Sequence, residues 1–107
     1  MRALASVLIG LGALLVGQTG VAAAGDLAAG KALAERWCAS CHLVTPEQAS
    51  ATTEAPPFAE IAKRSPEEIE ALEVFLTAPH PPMPPVSLTR REIQDVIAYI
   101  ESLKDAK

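Results

Sequence analysis

The most regular hydrophobic pattern of the chain lies near its C-terminal end. Apolar residues recur there at the three- and four-residue spacing of one helix face, with polar residues between them. These apolar positions are Ile93, Val96, Ile97, Ile100 and Leu103. Thr89 and Glu92 precede them as a capping box, in which each side chain bonds the backbone N–H of the other residue. The pattern predicts a helix that begins after Thr89 and packs one face into a core.

Two further helices follow from the same kind of signal. Asp26 is the predicted N-cap of a first helix, which runs towards the first cysteine. Ser65, Pro66 and Glu68 provide an N-cap, a first-turn proline and a capping box for a second helix. Apolar residues follow at helical spacing. They are Ile69, Leu72, Phe75 and Leu76.

Loops rich in proline and small polar residues separate these helices. Residues 43–55 contain a Thr-Pro step and a Ser-Ala-Thr-Thr run, which is typical of a loop. A short helical stretch is expected over residues 58–64. Five prolines within residues 78–85 exclude a helix there. Strand patterns and internal repeats are absent from the sequence, so the predicted fold is all-α.

The first 24 residues have the layout of a secretory signal peptide. A charged Met-Arg start is followed by an apolar run, and three alanines at positions 22–24 offer small residues for cleavage. The apolar run is short for a membrane span. We therefore expect a signal peptide at residues 1–24 and one exported domain at residues 25–107. The alternative is a leader that is kept as an anchor.

Charge and size restrict what the exported domain can do. Without the leader's arginine it has 8 basic and 13 acidic residues, a net charge of −5. It has no basic patch and only four aromatic residues, so a nucleic-acid partner is not expected. A chain of 83 residues has a thin core of its own.

Candidate chemistry is concentrated in the segment Cys38-Ala39-Ser40-Cys41-His42. This Cys-x-x-Cys-His spacing is the signature of covalent haem attachment. On a helical turn the two thiols lie on neighbouring azimuths, so both sulfurs can reach the two vinyl groups of one porphyrin. The adjoining imidazole then projects at the iron as its proximal ligand. The motif predicts one haem c, held by Cys38 and Cys41 through thioethers and by His42 at the iron.

Three other interpretations of these residues stay open. A thioredoxin-like redox pair needs a strand-containing frame, which the flanking helical pattern does not provide. A zinc site could use Cys38, Cys41, His42 and His80, but a second ligand pair at zinc-finger spacing is missing. A structural disulfide suits an exported protein but gives His42 no role.

From the end of the leader onwards, the chain resembles the class I cytochrome c family. Gly30 lies eight residues before the first cysteine, where the family has a small residue that lets the N- and C-terminal helices cross closely. The Val-Ile-Ala-Tyr-Ile segment resembles the family's C-terminal helix, with Val96 and Tyr99 as the expected contacts. Ala34 replaces the family's usual aromatic, and Trp37 is the candidate to fill that volume. The resemblance implies a small cytochrome c fold, with helices wrapped around one covalently bound haem.

The resemblance also implies a second iron ligand in the loop before the last helix. Family members use a methionine there, and Met83 is the only methionine after the leader. Its flanking prolines restrict the backbone and would hold the thioether in place. Two alternatives stay open: Met83 is a surface residue of a proline-rich loop, or His80 is the ligand.

Two further site positions are carried over from the family. Pro56 resembles the proline whose carbonyl accepts the Nδ1 hydrogen of the proximal histidine, a contact that would orient His42 on the iron. Pro57 is the alternative source of that carbonyl. Arg64 matches an arginine that pairs with a haem propionate in some members. Its alternative role is a solvated charge at a helix end.

These features imply an electron carrier and not an enzyme. We expect a monomeric periplasmic protein that exchanges single electrons with redox proteins, such as a membrane oxidase, a reductase or a periplasmic dehydrogenase. Methionine ligation and burial favour a positive reduction potential. One alternative is a haem peroxidase or gas-binding protein with a labile Met83. Another is an electron-entry subunit of a larger dehydrogenase or oxidase.

Overall fold

The computed structural model describes residues 25–52, 55–78 and 81–106. The helices in these ranges are α1 (Leu27–Trp37), α2 (Phe58–Ile61), α3 (Pro66–Glu70), α4 (Leu72–Thr77) and α5 (Arg90–Ser102). The described ranges contain no strand, so the all-α prediction is confirmed. Within them, no helix has the length and apolar character needed to cross a membrane. The predicted signal peptide lies outside the described residues.

The main packing contact of the fold is the crossing of α1 and α5. Gly30 lies at this crossing. A Cβ atom on Gly30 would overlap the carbonyl oxygen of Asp95 and would lie 2.9 Å from the Cβ of Tyr99. A residue without a side chain is therefore required for this approach. The predicted crossing is confirmed. Tyr99 is one of its predicted contacts, whereas the closest contact, Asp95, is not predicted.

Asp95 fastens the beginning of α1 to α5. It is 6% exposed, and its carboxylate accepts the backbone N–H of Asp26 at 2.8 Å and the Nε–H of Arg91 at 3.3 Å. A buried carboxylate is tolerated when partners of this kind replace water. Asp26 also caps α1 by accepting the backbone N–H of Ala29 at 3.0 Å, as its position in the sequence predicts.

The middle of the chain contains three short helices. The predicted capping box of Ser65 and Glu68 is present at the start of α3. The apolar spacing predicts one continuous helix here, but the structure divides it into α3 and α4 at Ala71. Ala71 keeps helical dihedrals, with φ −66° and ψ −18°, and its N–H donates to the carbonyl of Glu67 at 3.1 Å, so the chain stays close to a helical path across the division. The exposed ion pair of Arg90 with Glu73 links α5 to α4 at 3.0 Å.

The core is formed mainly by α5 and by the chain on either side of the cysteine motif. Its buried members are Ala34, Cys38, Val44, Phe58, Ile61, Ala62, Leu72, Val96, Tyr99, Ile100 and Leu103. The predicted apolar face of α5 is thereby confirmed, because Ile93 is buried as well and Ile97 packs partly against the core.

Trp37 does not fill the volume beside Ala34, and that prediction is wrong. Ala34 is completely buried, whereas Trp37 is 48% exposed. The guanidinium of Arg36 lies 4.9 Å from the centroid of the indole ring, a cation–π contact at the surface. The small side chain of Ala34 itself is a member of the core.

Candidate haem site

The Cys-x-x-Cys-His segment forms a turn that continues directly from α1. Cys38 is the C-cap of α1 and donates its backbone N–H to the carbonyl of Ala34 at 2.8 Å. The backbone N–H of His42 returns to the carbonyl of Cys38 at 2.9 Å. Cys38 is buried and Cys41 is partly exposed. The two sulfurs and the imidazole are thus carried by a single turn, which we call the attachment turn (residues 38–42).

The environment of Cys38 argues against the redox-pair alternative. Burial, and to a smaller extent the proximity of Cys41, raises the pKa of this thiol from 9.0 to about 11. A thiol that exchanges disulfides needs a lowered pKa, because the thiolate is the nucleophile. Among the described residues there is also no group of three or more histidine, cysteine or acidic side chains placed to hold a metal ion. His80, the fourth member of the zinc alternative, lies outside them.

Two neighbours hold the ring of His42. Its Nδ1 lies 2.7 Å from the carbonyl oxygen of Pro56, and its ring centroid lies 5.3 Å from that of Phe58. Because a carbonyl can only accept, Nδ1 carries the hydrogen and Nε2 is the nitrogen left for a metal. The carbonyl of Pro57 accepts the backbone N–H of Ile61 at 3.1 Å instead. This is the usual arrangement of a metal-binding histidine, whose second nitrogen is fixed by a carbonyl.

Gln48 binds the attachment turn, although nothing in the sequence singles it out. Its Nε2 lies 2.8 Å from the carbonyl of Ala39, 2.9 Å from that of His42 and 3.1 Å from that of Ser50. Its Oε1 accepts the backbone N–H of Val44 at 2.9 Å. In the sequence, Gln48 is one polar residue of a polar loop. Its role depends on how that loop folds back, which no local pattern reveals.

Two further residues hold the loop of residues 43–52 against the attachment turn. The backbone N–H and the hydroxyl of Thr52 both donate to the carbonyl of Ser40, at 2.8 and 2.5 Å. The hydroxyl of Tyr99, on α5, donates to the carbonyl of Val44 at 2.6 Å. Burial raises the pKa of Tyr99, and two nearby glutamates raise it less. The phenol therefore keeps its proton, and its hydrogen bond, at neutral pH.

Met83 lies in the proline-rich loop before α5, which is where the sequence predicts the second iron ligand. It is partly buried, between the pairs Pro81–Pro82 and Pro84–Pro85, and the peptide bond between the first two prolines is cis. His80, the alternative ligand, lies outside the described residues. Ligation by Met83 stays a prediction.

Arg64 is exposed and lies at the turn after α2. It lines a surface cleft of about 230 Å³ together with Glu70, Glu101 and Lys104. The described residues that line this cleft include no member of the attachment turn. The structure thus brings Pro56 to His42 but places Arg64 in a separate cleft. The contact of Arg64 with a propionate stays a prediction, and its exposure suits the alternative of a solvated charge.

The donor set on this surface fits haem c. Two thiols on one turn can each form a thioether with one porphyrin edge, and His42 offers Nε2 as an axial ligand. The carbonyl of Pro56 fixes the tautomer that ligation requires. When bound, the haem iron supplies one-electron chemistry. The chain would supply the covalent links through Cys38 and Cys41, the orientation of the imidazole and an apolar neighbour in Phe58.

Comparison with known proteins agrees with this site. The family described as Cytochrome c matches residues 27–104. The chain is 48% identical over 83 residues to cytochrome c-552 of Bradyrhizobium diazoefficiens, an alignment that covers 78% of this chain and 80% of the relative. No solved structure gives a significant match. With its crossed terminal helices, its attachment turn and this match over most of its length, the chain belongs to the cytochrome c family, which carries covalently bound haem and transfers electrons.

Proposed function

We propose that this protein is a periplasmic single-electron carrier. Cys38 and Cys41 hold one haem c, and His42 and Met83 are the axial ligands of its iron. The observation that carries the proposal is the 2.7 Å contact between the Nδ1 of His42 and the carbonyl of Pro56. That contact leaves Nε2 as the ligating nitrogen and orients the ring before any partner binds.

The chain's own residues favour a ligand set that changes little when an electron arrives. His42 is held at its ring by Pro56 and Phe58 and at its backbone by the attachment turn. Met83 lies between two pairs of prolines, whose fixed φ angles restrict the loop. A soft thioether ligand favours the reduced iron, so we expect a positive reduction potential.

Covalent attachment is tested by haem extraction. Acidified acetone should leave the haem on the purified protein, because two thioethers hold it. Cys38→Ser and Cys41→Ser should each remove one link, and the double variant should fold poorly because the core of the domain is thin. Release of the haem from the unaltered protein would show that the attachment turn does not bind it covalently.

The second ligand is tested by Met83→Ala. The variant should have a lower reduction potential and should bind cyanide or carbon monoxide at the iron, because a soft ligand is lost and a position is opened. The matched control is His80→Ala, which should keep the potential and the spectrum of the parent. If Met83→Ala keeps both, another group is the ligand.

The same spectra address the enzyme alternative. A peroxidase or gas-binding protein with a labile Met83 would take up cyanide readily in the ferric, unaltered protein. A stable methionine ligand should slow this uptake strongly relative to Met83→Ala. Equal uptake by the two proteins would favour the enzyme alternative.

Location and partners are tested in cells. The mature protein should be recovered in the periplasmic fraction with an N-terminus near Gly25, as the leader predicts. A full-length chain in the membrane fraction would favour an anchor. Co-purification with a fixed stoichiometry would favour a subunit of a larger complex, whereas a carrier should be recovered alone and should be reduced by a partner protein that is added to it.

A further inference from the structure

The loop of residues 43–52 is attached to the attachment turn by the side chain of Gln48. This amide contacts the backbone of two residues of the attachment turn, Ala39 and His42. Ala39 lies between the two cysteines, and His42 is the proximal ligand in the proposed function. The carbonyl oxygens of both residues lie within 2.9 Å of Nε2. Because they follow the last residue of α1, these carbonyls have no continuing helix to satisfy them.

The orientation of the Gln48 amide is fixed by its surroundings. The backbone N–H of Val44 can only donate, so the atom that it meets at 2.9 Å must be Oε1. On the other side, three carbonyl oxygens face Nε2, and they can only accept. Turning the amide over would break every one of these contacts. The side-chain amide of Gln48 therefore has a single orientation, in which it links the loop to the attachment turn.

We propose that Gln48 is a positioning residue for the proximal ligand. It holds the backbone of His42 to that of Ala39, while Pro56 holds the imidazole ring. With both points fixed, Nε2 keeps one direction relative to the two cysteines. Without Gln48, the ring keeps its contact to Pro56 but its backbone can move away from the turn. This inference rests on the proposed ligation of the iron by His42.

The test measures the histidine–iron bond directly in the holo-protein. In a Met83→Ala background the reduced iron lacks its second ligand, so resonance Raman spectroscopy can detect the iron–histidine stretching band. In this background, Gln48→Ala should broaden and shift the band. In the protein that keeps Met83, Gln48→Ala should change the reduction potential. Covalent haem content should stay at that of the parent, because the two thioethers are untouched. The backbone N–H of Val44 should exchange with solvent about tenfold faster, as expected for the loss of one hydrogen bond.

A second variant separates the role of Gln48 as a hydrogen-bond donor from its role as an acceptor. It also tests the proposal if Gln48→Ala folds poorly. Gln48→Glu has almost the same size and keeps an acceptor for Val44, but it has no N–H for the carbonyls of Ala39 and His42. It should broaden the band at least as much as Gln48→Ala, while the Val44 N–H stays protected.

Two controls separate positioning from stability. Gln94→Ala removes an exposed glutamine from α5 and should leave the band and the potential unchanged. Asp95→Ala should lower the stability through the far end of α1, roughly 16 Å from the attachment turn, and should also leave the band unchanged. If the Gln48 variants lose stability but keep the band and potential of the parent, the inference is overturned. If the Met83→Ala parent itself lacks an iron–histidine band, the proposed ligation by His42 fails and the inference fails with it.

Discussion

Replacing Gly30 with alanine tests the helix crossing on which the whole domain depends. In an ordinary helix this change is stabilising by about 1 kcal/mol, because glycine is a poor helix former. Here the new Cβ would overlap the carbonyl oxygen of Asp95, and it would lie 2.6 Å from the carbonyl carbon and 2.9 Å from the Cβ of Tyr99. The first two are backbone atoms, which no side-chain rotation can move aside. We therefore expect the clash to outweigh the gain in helix propensity.

The magnitude follows from two opposing contributions. Inserting a methyl group into a packed contact costs about 1–3 kcal/mol, and the backbone partner favours the upper end of this range. Subtracting the propensity gain leaves a net loss of about 2 kcal/mol for Gly30→Ala. For a domain of this size, that loss lowers the melting temperature by roughly 10 °C.

Urea or guanidinium unfolding of the holo-protein measures this loss, provided that the slope against denaturant is unchanged between variants. Ala32→Gly, at an exposed position of α1, is the control and should lose about 1 kcal/mol through propensity alone. Gly25→Ala tests a second close contact of the same kind, for which we expect a smaller loss of stability. Its Cβ would lie 2.5 Å from the carbonyl oxygen of Gln94, but Gly25 precedes α1 and can shift more easily. If Gly30→Ala is as stable as the parent or more stable, the close crossing described here is wrong.

Four other expectations follow from single contacts and from charge. Tyr99→Phe should cost about 1–2 kcal/mol, because it leaves the buried carbonyl of Val44 without its donor. Burial raises the pKa of Tyr99, so the folded state holds the phenol proton more tightly than the unfolded state does. The parent should therefore lose stability as the pH rises above about 10, the ordinary pKa of tyrosine. Tyr99→Phe should lose less stability over the same pH range. Asp95→Asn should lower the unfolding free energy by weakening the tie to Asp26, and calorimetry at neutral pH measures the change. The rate of electron transfer to the true partner should change only modestly with added salt. The reason is that an acidic carrier with a rigid, uncharged proline-rich loop is expected to dock by apolar contact. A steep fall of the rate with salt would instead indicate a basic partner.

The parts of the fold that could be predicted are those whose signal is local. The caps at Asp26, Ser65 and Thr89 are all present, because a cap needs only residues within one turn of each other. The buried face of α5 follows from its spacing, since one side of an amphipathic helix has to find a core. The division at Ala71 was not predictable from apolar spacing, because a single irregular residue in a nearly helical path hardly changes that pattern.

The prediction for Trp37 failed for a different reason. It assumed that the volume of a missing aromatic must be refilled, whereas backbones can also approach more closely around a small residue. Ala34 is completely buried, whereas Trp37 is about half exposed and is not a member of the core. Which of these outcomes occurs depends on the crossing of two helices that are distant in sequence, and no local pattern encodes that distance.

The candidate site shows the same difference between local features, which could be predicted, and long-range contacts, which could not. The attachment turn is readable because its five residues are contiguous, and the carbonyl of Pro56 could be assigned through resemblance to a family. Gln48 and Asp95 could not be assigned in this way. Gln48 acts on carbonyls up to nine residues earlier, and Asp95 acts on an N–H 69 residues earlier. Asp95 leaves one weak trace in the sequence, an acidic residue directly beside the apolar face of α5.

Tyr99 joins the helix crossing to the ligand loop, which explains how so small a core can hold a histidine in one orientation. Its Cβ lies against Gly30 at the crossing, and its hydroxyl binds the carbonyl of Val44. The N–H of the same Val44 binds Gln48, which in turn binds the carbonyl of His42. Each of these contacts is a single hydrogen bond or van der Waals contact of modest energy. Because they are connected in series, they link Gly30 at the crossing to the backbone of His42, and they act together with the bonds from Thr52 to Ser40 and from the imidazole to Pro56.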